Sequence, residues 1–128
     1  MLVCGVVPED VDLERCAVVE DSLKITYREL LRYAERLGQL LPFGGHVAIL
    51  CEGAAFAVGF FSAIRANSVA IPMTPHDPTR RIRTILDDAE VASAIVEWAL
   101  SEHLREAFVE LSFFDAFGEK SEKNPQGN

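Results

Sequence analysis

Residues 47–75 read V-A-I-L-C-E-G-A-A-F-A-V-G-F-F-S-A-I-R-A-N-S-V-A-I-P-M-T-P, and their pattern decides the fold. Val47 to Cys51 is a short β-branched and aliphatic run that ends at Glu52-Gly53. Ala54 to Ala66 is apolar apart from Ser62 and Arg65, and Asn67-Ser68 breaks it. Val69 to Met73 is a second apolar run, and Pro72 and Pro75 bracket its end. This predicts strand, helix, strand, with a connection long enough for a parallel crossover. The helix is apolar on nearly every face, so it is expected to be buried on more than one side. It is too short to span a bilayer, which takes about 20 residues. Asn67 tolerates the left-handed conformation and can serve as the residue after the helix cap.

Upstream, Thr26-Tyr27-Arg28-Glu29 is a capping box. The Thr26 hydroxyl can accept from the Glu29 N–H while the Glu29 carboxylate reaches back to the Thr26 N–H. Leu30, Ala34, Leu37 and Leu41 then mark one helical face, widened by Tyr33 and Leu40, with Arg28, Arg32, Glu35, Arg36 and Gln39 opposite. Pro42 and Gly44-Gly45 end this helix. Before it, Ala17-Val18-Val19 and Leu23-Lys24-Ile25 flank a polar turn and read as two short strands.

Downstream, Asp77-Pro78 reads as an N-cap followed by proline at the first helical position, with Ile82, Ile85, Leu86 and Ala89 on the buried side. Ser93 to Glu97 reads as a third strand, Ser101 as the cap of a helix through Leu104 and Phe108, and Leu111 to Phe114 as a fourth strand. Strands alternating with helices give the expected class: α/β, a partial doubly wound layer with a mostly parallel sheet and flanking helices. Residues 1–16 are expected to be an irregular lead-in and 17–117 the α/β unit. Residues 118–128 read as a polar tail or linker.

The 128 residues suit one domain. A formal net charge of -8 argues against nucleic acid and against an anionic membrane surface. Cys4, Cys16 and Cys51 make an odd set without short spacing, so a reducing, cytoplasmic compartment is expected. Met1 to Cys4 lacks a basic flank and a long apolar core, and four acids follow by Glu14, so a cleaved signal peptide is not expected.

No G-x-x-x-x-G-K-[ST], G-x-G-x-x-G or G-x-S-x-G occurs. His46, His76 and His103 are far apart and none has a ligand partner at helical spacing. Asp87-Asp88 point in different directions on a helix. Arg80, Arg81 and Arg83 stand among acids that favour surface ion pairs. Glu52-Gly53 could aim free N–H groups at an anion, but Glu52 repels one there, and a glycine easing a tight turn is the simpler reading. Trp98, Phe56, Phe60 and Phe61 read as core residues before ligand stackers. Catalytic, cofactor-binding and metal residues are therefore all assigned as none.

The order of segments resembles a known family. I-T-Y-R-E-L-L-R-Y-A-E-R-L-G-Q-L-L, G-G-H-V-A-I-L, an apolar helix, A-N-S-V-A-I-P-M-T-P, R-R-I-R-T-I-L-D-D-A and A-I-V follow one another. They are similar to the N-terminal part of AMP-binding (adenylate-forming) enzymes: acyl-CoA synthetases, adenylation domains of peptide synthetases, and luciferases. The likeness runs from about Ala17 to Val96. The sequence departs from the family's usual pattern at His46, where an acid is common, at Asn67, where glycine is, and at Ala89, where serine is. The family's phosphate loop, of the type Y-T-S-G-T-T-G-x-P-K, does not occur, nor do its later motifs.

The resemblance thus implies a ligase class in which carboxylate and ATP give an acyl-adenylate, and then a thioester. It implies that this segment alone is not catalytic. ATP, magnesium and a coenzyme A or carrier-protein thiol are expected of the complete enzyme, with none held by this chain. The expected partner is the remainder of the adenylating enzyme, in cis or in trans, with no nucleic acid and no membrane span. Two other readings stay open. One is a freestanding α/β binding or interaction module derived from that family. The other is a nucleotide-binding α/β domain of another kind, which predicts ATP or NAD binding by the chain alone.

Overall fold

The capping box forms in full. In the structure, a computed structural model that describes residues 12–20, 23–118 and 121–122, the Glu29 N–H donates to Thr26 Oγ1 at 3.1 Å and the Thr26 N–H to Glu29 Oε1 at 2.9 Å. These bonds satisfy two of the orphan donors at the start of α1 (Tyr27–Leu40). The helix grows directly out of β2 (Leu23–Thr26), which pairs antiparallel with β1 (Cys16–Glu20). The lead-in before Asp12 and the turn residues Asp21 and Ser22 lie outside the described residues.

α1 buries Leu30, Ala34 and Leu37, and Leu41 follows at its cap. Leu40 does not join that face and is 58% exposed. The reason is the side from which α2 (Gly53–Arg65) approaches. It packs on the Gly38 flank, where a Cβ would stand 2.9 Å from Arg65 Cβ and 3.3 Å from the Ser62 carbonyl oxygen. The absent side chain permits the close approach, and the Leu40 flank is left open. Arg65 and Glu35 add an exposed ion pair across the two helices.

The main sheet contains β3 (His46–Leu50), β4 (Val69–Pro72), β5 (Ser93–Val96), β6 (Ser112–Asp115) and β7 (Ser121–Glu122). Their spatial order is β4-β3-β5-β6-β7. The first four are mutually parallel, and β7 runs antiparallel beside β6. Ser121–Glu122 fall inside the stretch read as a polar tail, so part of that stretch adds a short strand. The rest of it, apart from Gly118, lies outside the described residues.

Alternation along the strands divides the core in two. Val47, Ile49, Ile95 and Phe114 face α1, α2 and the hairpin. Ala48, Leu50, Ala94, Val96 and Phe113 face α3 (Thr79–Asp88) and α4 (Glu102–Ala107), where Ile82, Leu86, Leu104 and Phe108 complete the second core. A single 3₁₀ turn, Trp98–Leu100, joins β5 to α4. The result is three layers, helices on both faces of a parallel sheet. Among the described residues no helix is long and apolar enough to cross a membrane.

Two helix ends share one device. Asn67 adopts φ 56°, with its N–H on the Ile64 carbonyl and the Ser68 N–H on the Ala63 carbonyl. Glu90 adopts φ 54°, with its N–H on the Asp87 carbonyl and the Val91 N–H on the Leu86 carbonyl. Both are complete Schellman motifs. The first was legible in the sequence, and the second places a glutamate where glycine fits better. Glu90→Gly is therefore expected to stabilise the protein by about 0.5 kcal/mol, the left-handed strain relieved less the added unfolded-state entropy. A rise in the urea midpoint checks it, and a fall would contradict it.

Two local readings are corrected. Asp77 is not the N-cap of α3: Pro78, at ψ 140°, holds that position without a side-chain bond. The Asp77 carboxylate instead faces Arg81 at 3.7 Å. Ser101 does occupy the N-cap of α4, but its hydroxyl donates to the Trp98 carbonyl and accepts from Arg105 Nε, each at 3.0 Å.

Candidate functional site

The chain reverses its winding between β3 and β5. From β3 it moves outward to β4, then returns across β3 to lay down β5 and β6 on the other side. In an open parallel sheet, that reversal opens a crevice at the carboxyl ends of the strands, where ligands bind. A pocket of about 120 Å³ lies there. Cys51 and Glu52 follow β3, Pro75 and His76 follow β4, Glu97 follows β5, and Glu20 leans in from the hairpin.

Each wall is fixed by local chemistry. Gly53 takes φ 62°, which turns the chain sharply from β3 into α2. The Glu20 carboxylate packs against Gly53 where a Cβ would stand, and accepts from the Ala54 N–H at 3.1 Å. The N-terminus of α2 thus receives an anion, and the chain itself supplies it. Across the pocket, Glu52 Oε1 meets His76 Nε2 at 3.3 Å and Glu52 Oε2 accepts from Thr74 Oγ1 at 3.3 Å. The buried Asp115 accepts from the Trp98 N–H at 3.3 Å at the carboxyl end of β6.

These carboxylates act on one another. Glu97 is held above the usual carboxylate range, first by burial and then by the charges of Glu20 and Asp115. Burial, with Glu97, Asp115 and Glu52 adding to it, pushes the Cys51 thiol up to about 12. A thiol so placed stays protonated at neutral pH and is a poor nucleophile. Alkylation of the native protein is expected to spare Cys51 and to mark it only after unfolding, as peptide mass mapping would read. The same shift has a pH consequence. Its unfolded value is about 9.0, so the unfolded state releases the proton first, and stability erodes as pH rises from there towards 12. Cys51→Ala should shed that part of the alkaline loss.

Among the described residues the crevice lining carries Glu20, Glu52 and Glu97, and the N-terminus of α2 beside it already holds Glu20. Among the described residues no three His, Cys, Asp or Glu side chains are placed to share a metal ion.

The other candidates weighed in the sequence lie elsewhere. His46 Nδ1 sits 2.6 Å from the Ala89 carbonyl oxygen, and His103 Nε2 sits 3.3 Å from that of Pro75. Arg83 pairs with Glu110 and with Asp87, and its guanidinium lies 4.7 Å from the Phe108 ring centroid. Arg105 covers Trp98 at 4.1 Å. Phe56, Phe60 and Phe61 are half-buried at the rim of the first core, away from the crevice. Glu20, Glu97 and Asp115 are participants that the sequence reading did not single out, and Glu20 is the most distant from the helix it caps. Its contact spans 34 positions, from hairpin to helix, and no local pattern announces it.

Comparison with known proteins completes the picture. A component of the plipastatin synthase of Bacillus subtilis (strain 168) is 33% identical over 99 residues, which cover 73% of this chain and 3% of that protein. Bacitracin synthase 3 of Bacillus licheniformis is 30% identical over 97 residues, 71% of this chain and 2% of that protein. The chain therefore spans a small fraction of the curated relatives it matches. Among solved structures, the Klebsiella oxytoca NpsA N-terminal subdomain in complex with anthranilyl-AMSN is 28% identical with a TM-score of 0.60, over 69% of this chain and 24% of that one. MatB from Rhodopseudomonas palustris shares the fold, with a TM-score of 0.65 at 18% identity over 86% of this chain and 24% of that one. The family model described as AMP-binding enzyme matches residues 9–124. With that match over nearly its whole length, and with a doubly wound sheet like that of an adenylating subdomain, the chain belongs to the AMP-binding enzyme family.

Proposed function

We propose that this chain is the N-terminal structural layer of an ATP-dependent adenylating domain of a peptide synthetase. In the complete domain the substrate carboxylate displaces pyrophosphate from ATP to give the acyl-adenylate. A thiol, on coenzyme A or a carrier protein, then displaces AMP to give a thioester. The observation that carries this reading is the family match over residues 9–124. The acidic crevice supports a positional role rather than a nucleotide-binding one. Transfer of a phosphoryl or adenylyl group needs preorganised donors and cations around the phosphates, and the walls formed here are carboxylates.

The contribution proposed for this chain is rigid placement. The sheet fixes the ends of β3, β5 and β6, and Glu20 ties the hairpin to α2. The partner is the remainder of the adenylating fold, in cis or in trans. The location proposed is the cytoplasm, where ATP and reduced thiols are both supplied.

The test is ATP–pyrophosphate exchange with the proteinogenic amino acids, with calorimetry of the chain against millimolar ATP. The chain alone is expected to show neither exchange nor heat. Exchange catalysed by the chain alone would overturn the reading. The intact mass of the native polypeptide then decides between cis and trans: a mass near 14.1 kDa places the remainder on a separate chain.

A further inference from the structure

One carboxylate at the crevice stands among others without a cation of its own. Glu97 follows β5, half-buried, in the fields of Glu20 from the hairpin and Asp115 from β6. Among the described residues its side chain has no hydrogen bond and no ion pair. Glu52 lines the same pocket, and the Cys51 thiol beside it is neutral. The basic groups nearby are engaged elsewhere. His76 faces Glu52 at 3.3 Å, and His103 of α4 faces the Pro75 carbonyl oxygen. Arg105 of α4 covers Trp98 and donates to the Ser101 hydroxyl. Lys24 is exposed and stands opposite Val19, not Glu20, in the hairpin ladder. Three carboxylates so placed repel one another while all are ionised, and a single proton relieves the repulsion.

The charge that Glu97 opposes holds a mechanical tie. The hairpin is rooted at the start of β1, where the Tyr27 N–H donates to the Arg15 carbonyl at 3.0 Å and the Arg28 N–H to that of Leu13 at 2.9 Å. Ile25 is buried there, and Ala17 and Val18 pack on the first core. The far end of β1 reaches α2 through Glu20. Its carboxylate accepts from the Ala54 N–H at 3.1 Å and fills the space that a side chain at Gly53 would take. A carboxylate holds a helix N-terminus by its charge. A second negative charge beside it favours its departure. A protonated Glu97 removes that charge and becomes a donor that a neighbouring carboxylate can accept.

We propose that Glu97 is a proton-operated latch on the hairpin: with a proton on Glu97 the Glu20 carboxylate seats firmly on the start of α2, and with Glu97 ionised that seat weakens and the crevice mouth loosens. The direction follows from the environment. Burial and the charges of Glu20 and Asp115 make the folded chain hold the Glu97 proton above the ordinary value of 4.5. The stability that this proton adds is therefore complete below about 4.5 and is lost as pH rises through the raised value. The latch works only while Glu20 is ionised, so tightening is expected on the mildly acidic side of neutrality and not in strong acid.

The test follows backbone hydrogen exchange of the intact chain by mass spectrometry between about pH 5 and pH 8, with rates corrected for the intrinsic pH dependence of exchange. Peptides covering β1 and the start of α2 report the latch, and a peptide covering α4 reports the rest of the fold. In wild type, protection of the first two is expected to fall about fivefold over that range while α4 stays flat. Glu97→Gln keeps the shape of the side chain and cannot ionise. It is expected to hold the acid-side protection throughout, about fivefold above wild type at the alkaline end and equal to it at the acid end. Glu20→Gln is expected to lower protection at every pH and to cancel the gain from Glu97→Gln in the double variant.

A wild-type profile that is flat overturns the proposal. So does a Glu97→Gln profile that still falls with pH, because the titrating group is then another one. A fall shared equally by α4 shows a titration of the whole fold and overturns it as well. A gain from Glu97→Gln that survives Glu20→Gln shows that Glu97 does not act through the hairpin tie. If Glu20→Gln does not fold, the single Glu97→Gln profile decides the matter alone.

Discussion

Leu37→Asp is expected to remove a large part of the stability of the protein and to unfold it under mild denaturation. Leu37 is 1% exposed, at the centre of the α1 face that covers β3, β5 and the approach of α2. Aspartate loses the apolar burial, roughly 2 kcal/mol for a leucine. It also places a carboxylate in the first core, which holds Leu30, Leu41 and Val58. Substitutions that bury an unpaired charge lie at the far end of the range, about 4–5 kcal/mol or more. A domain whose whole stability is roughly 5–15 kcal/mol does not absorb that comfortably. The check is a urea titration followed by far-UV circular dichroism. A midpoint equal to that of wild type would mean that α1 presents another face to the sheet. Leu40→Asp serves as the control, because Leu40 is exposed and should change stability by no more than about 0.5 kcal/mol.

Phe108→Ala is the second large effect, expected to cost about 3–5 kcal/mol. The ring is fully buried at the end of α4, packed into the second core with Leu104, Leu111 and Phe113. Arg83 lies over it, held in turn by Glu110, which raises the affinity of the guanidinium for its proton and draws the Glu110 carboxyl below its usual range. Removing the ring therefore opens a cavity and strips the face on which the cation rests. The urea midpoint should fall sharply with the slope preserved. Val109→Ala, at a neighbouring position 64% exposed, should be near neutral. A loss at Phe108 no larger than at Val109 would show that α4 is not anchored to the sheet.

Much of the fold was legible because the signals were local. The capping box at Thr26 needs only side chains three residues apart, and both of its bonds form. Asn67 sits where a helix must reverse into a strand, and its side chain suits the left-handed turn. The apolar runs at Val47, Val69, Ser93 and Leu111 are each short and flanked by helical patterns, so a parallel α/β layer followed. What was not legible involved residues distant in sequence. Strand order depends on which face each helix covers, and the reversal between β3 and β5 has no local mark. Glu20 reaches the helix start at Ala54 only because the hairpin folds over the sheet.

The aromatic residues of α2, Phe56, Phe60 and Phe61, read as core and pack half-buried against the first core. Asp77 was misassigned because proline at the start of a helix suits the first turn. Here Pro78 keeps an extended ψ and takes the cap position itself.

The sheet order also sets a timetable. β3 is an inner strand of the sheet, and its Val47 pairs with both Ala70 and Ser93. The first partner is close in the chain, and the second is about twice as distant. During synthesis at roughly 5–20 residues per second, β4 follows β3 and β5 comes as long again after β4, so one edge of β3 waits for β5 about twice as long as the other waits for β4. Pairings of such long range are slow to form even in a complete chain. In that interval Val47 to Leu50 stands as an open, wholly apolar strand edge, so the hazard for this protein lies in its birth more than in its finished state.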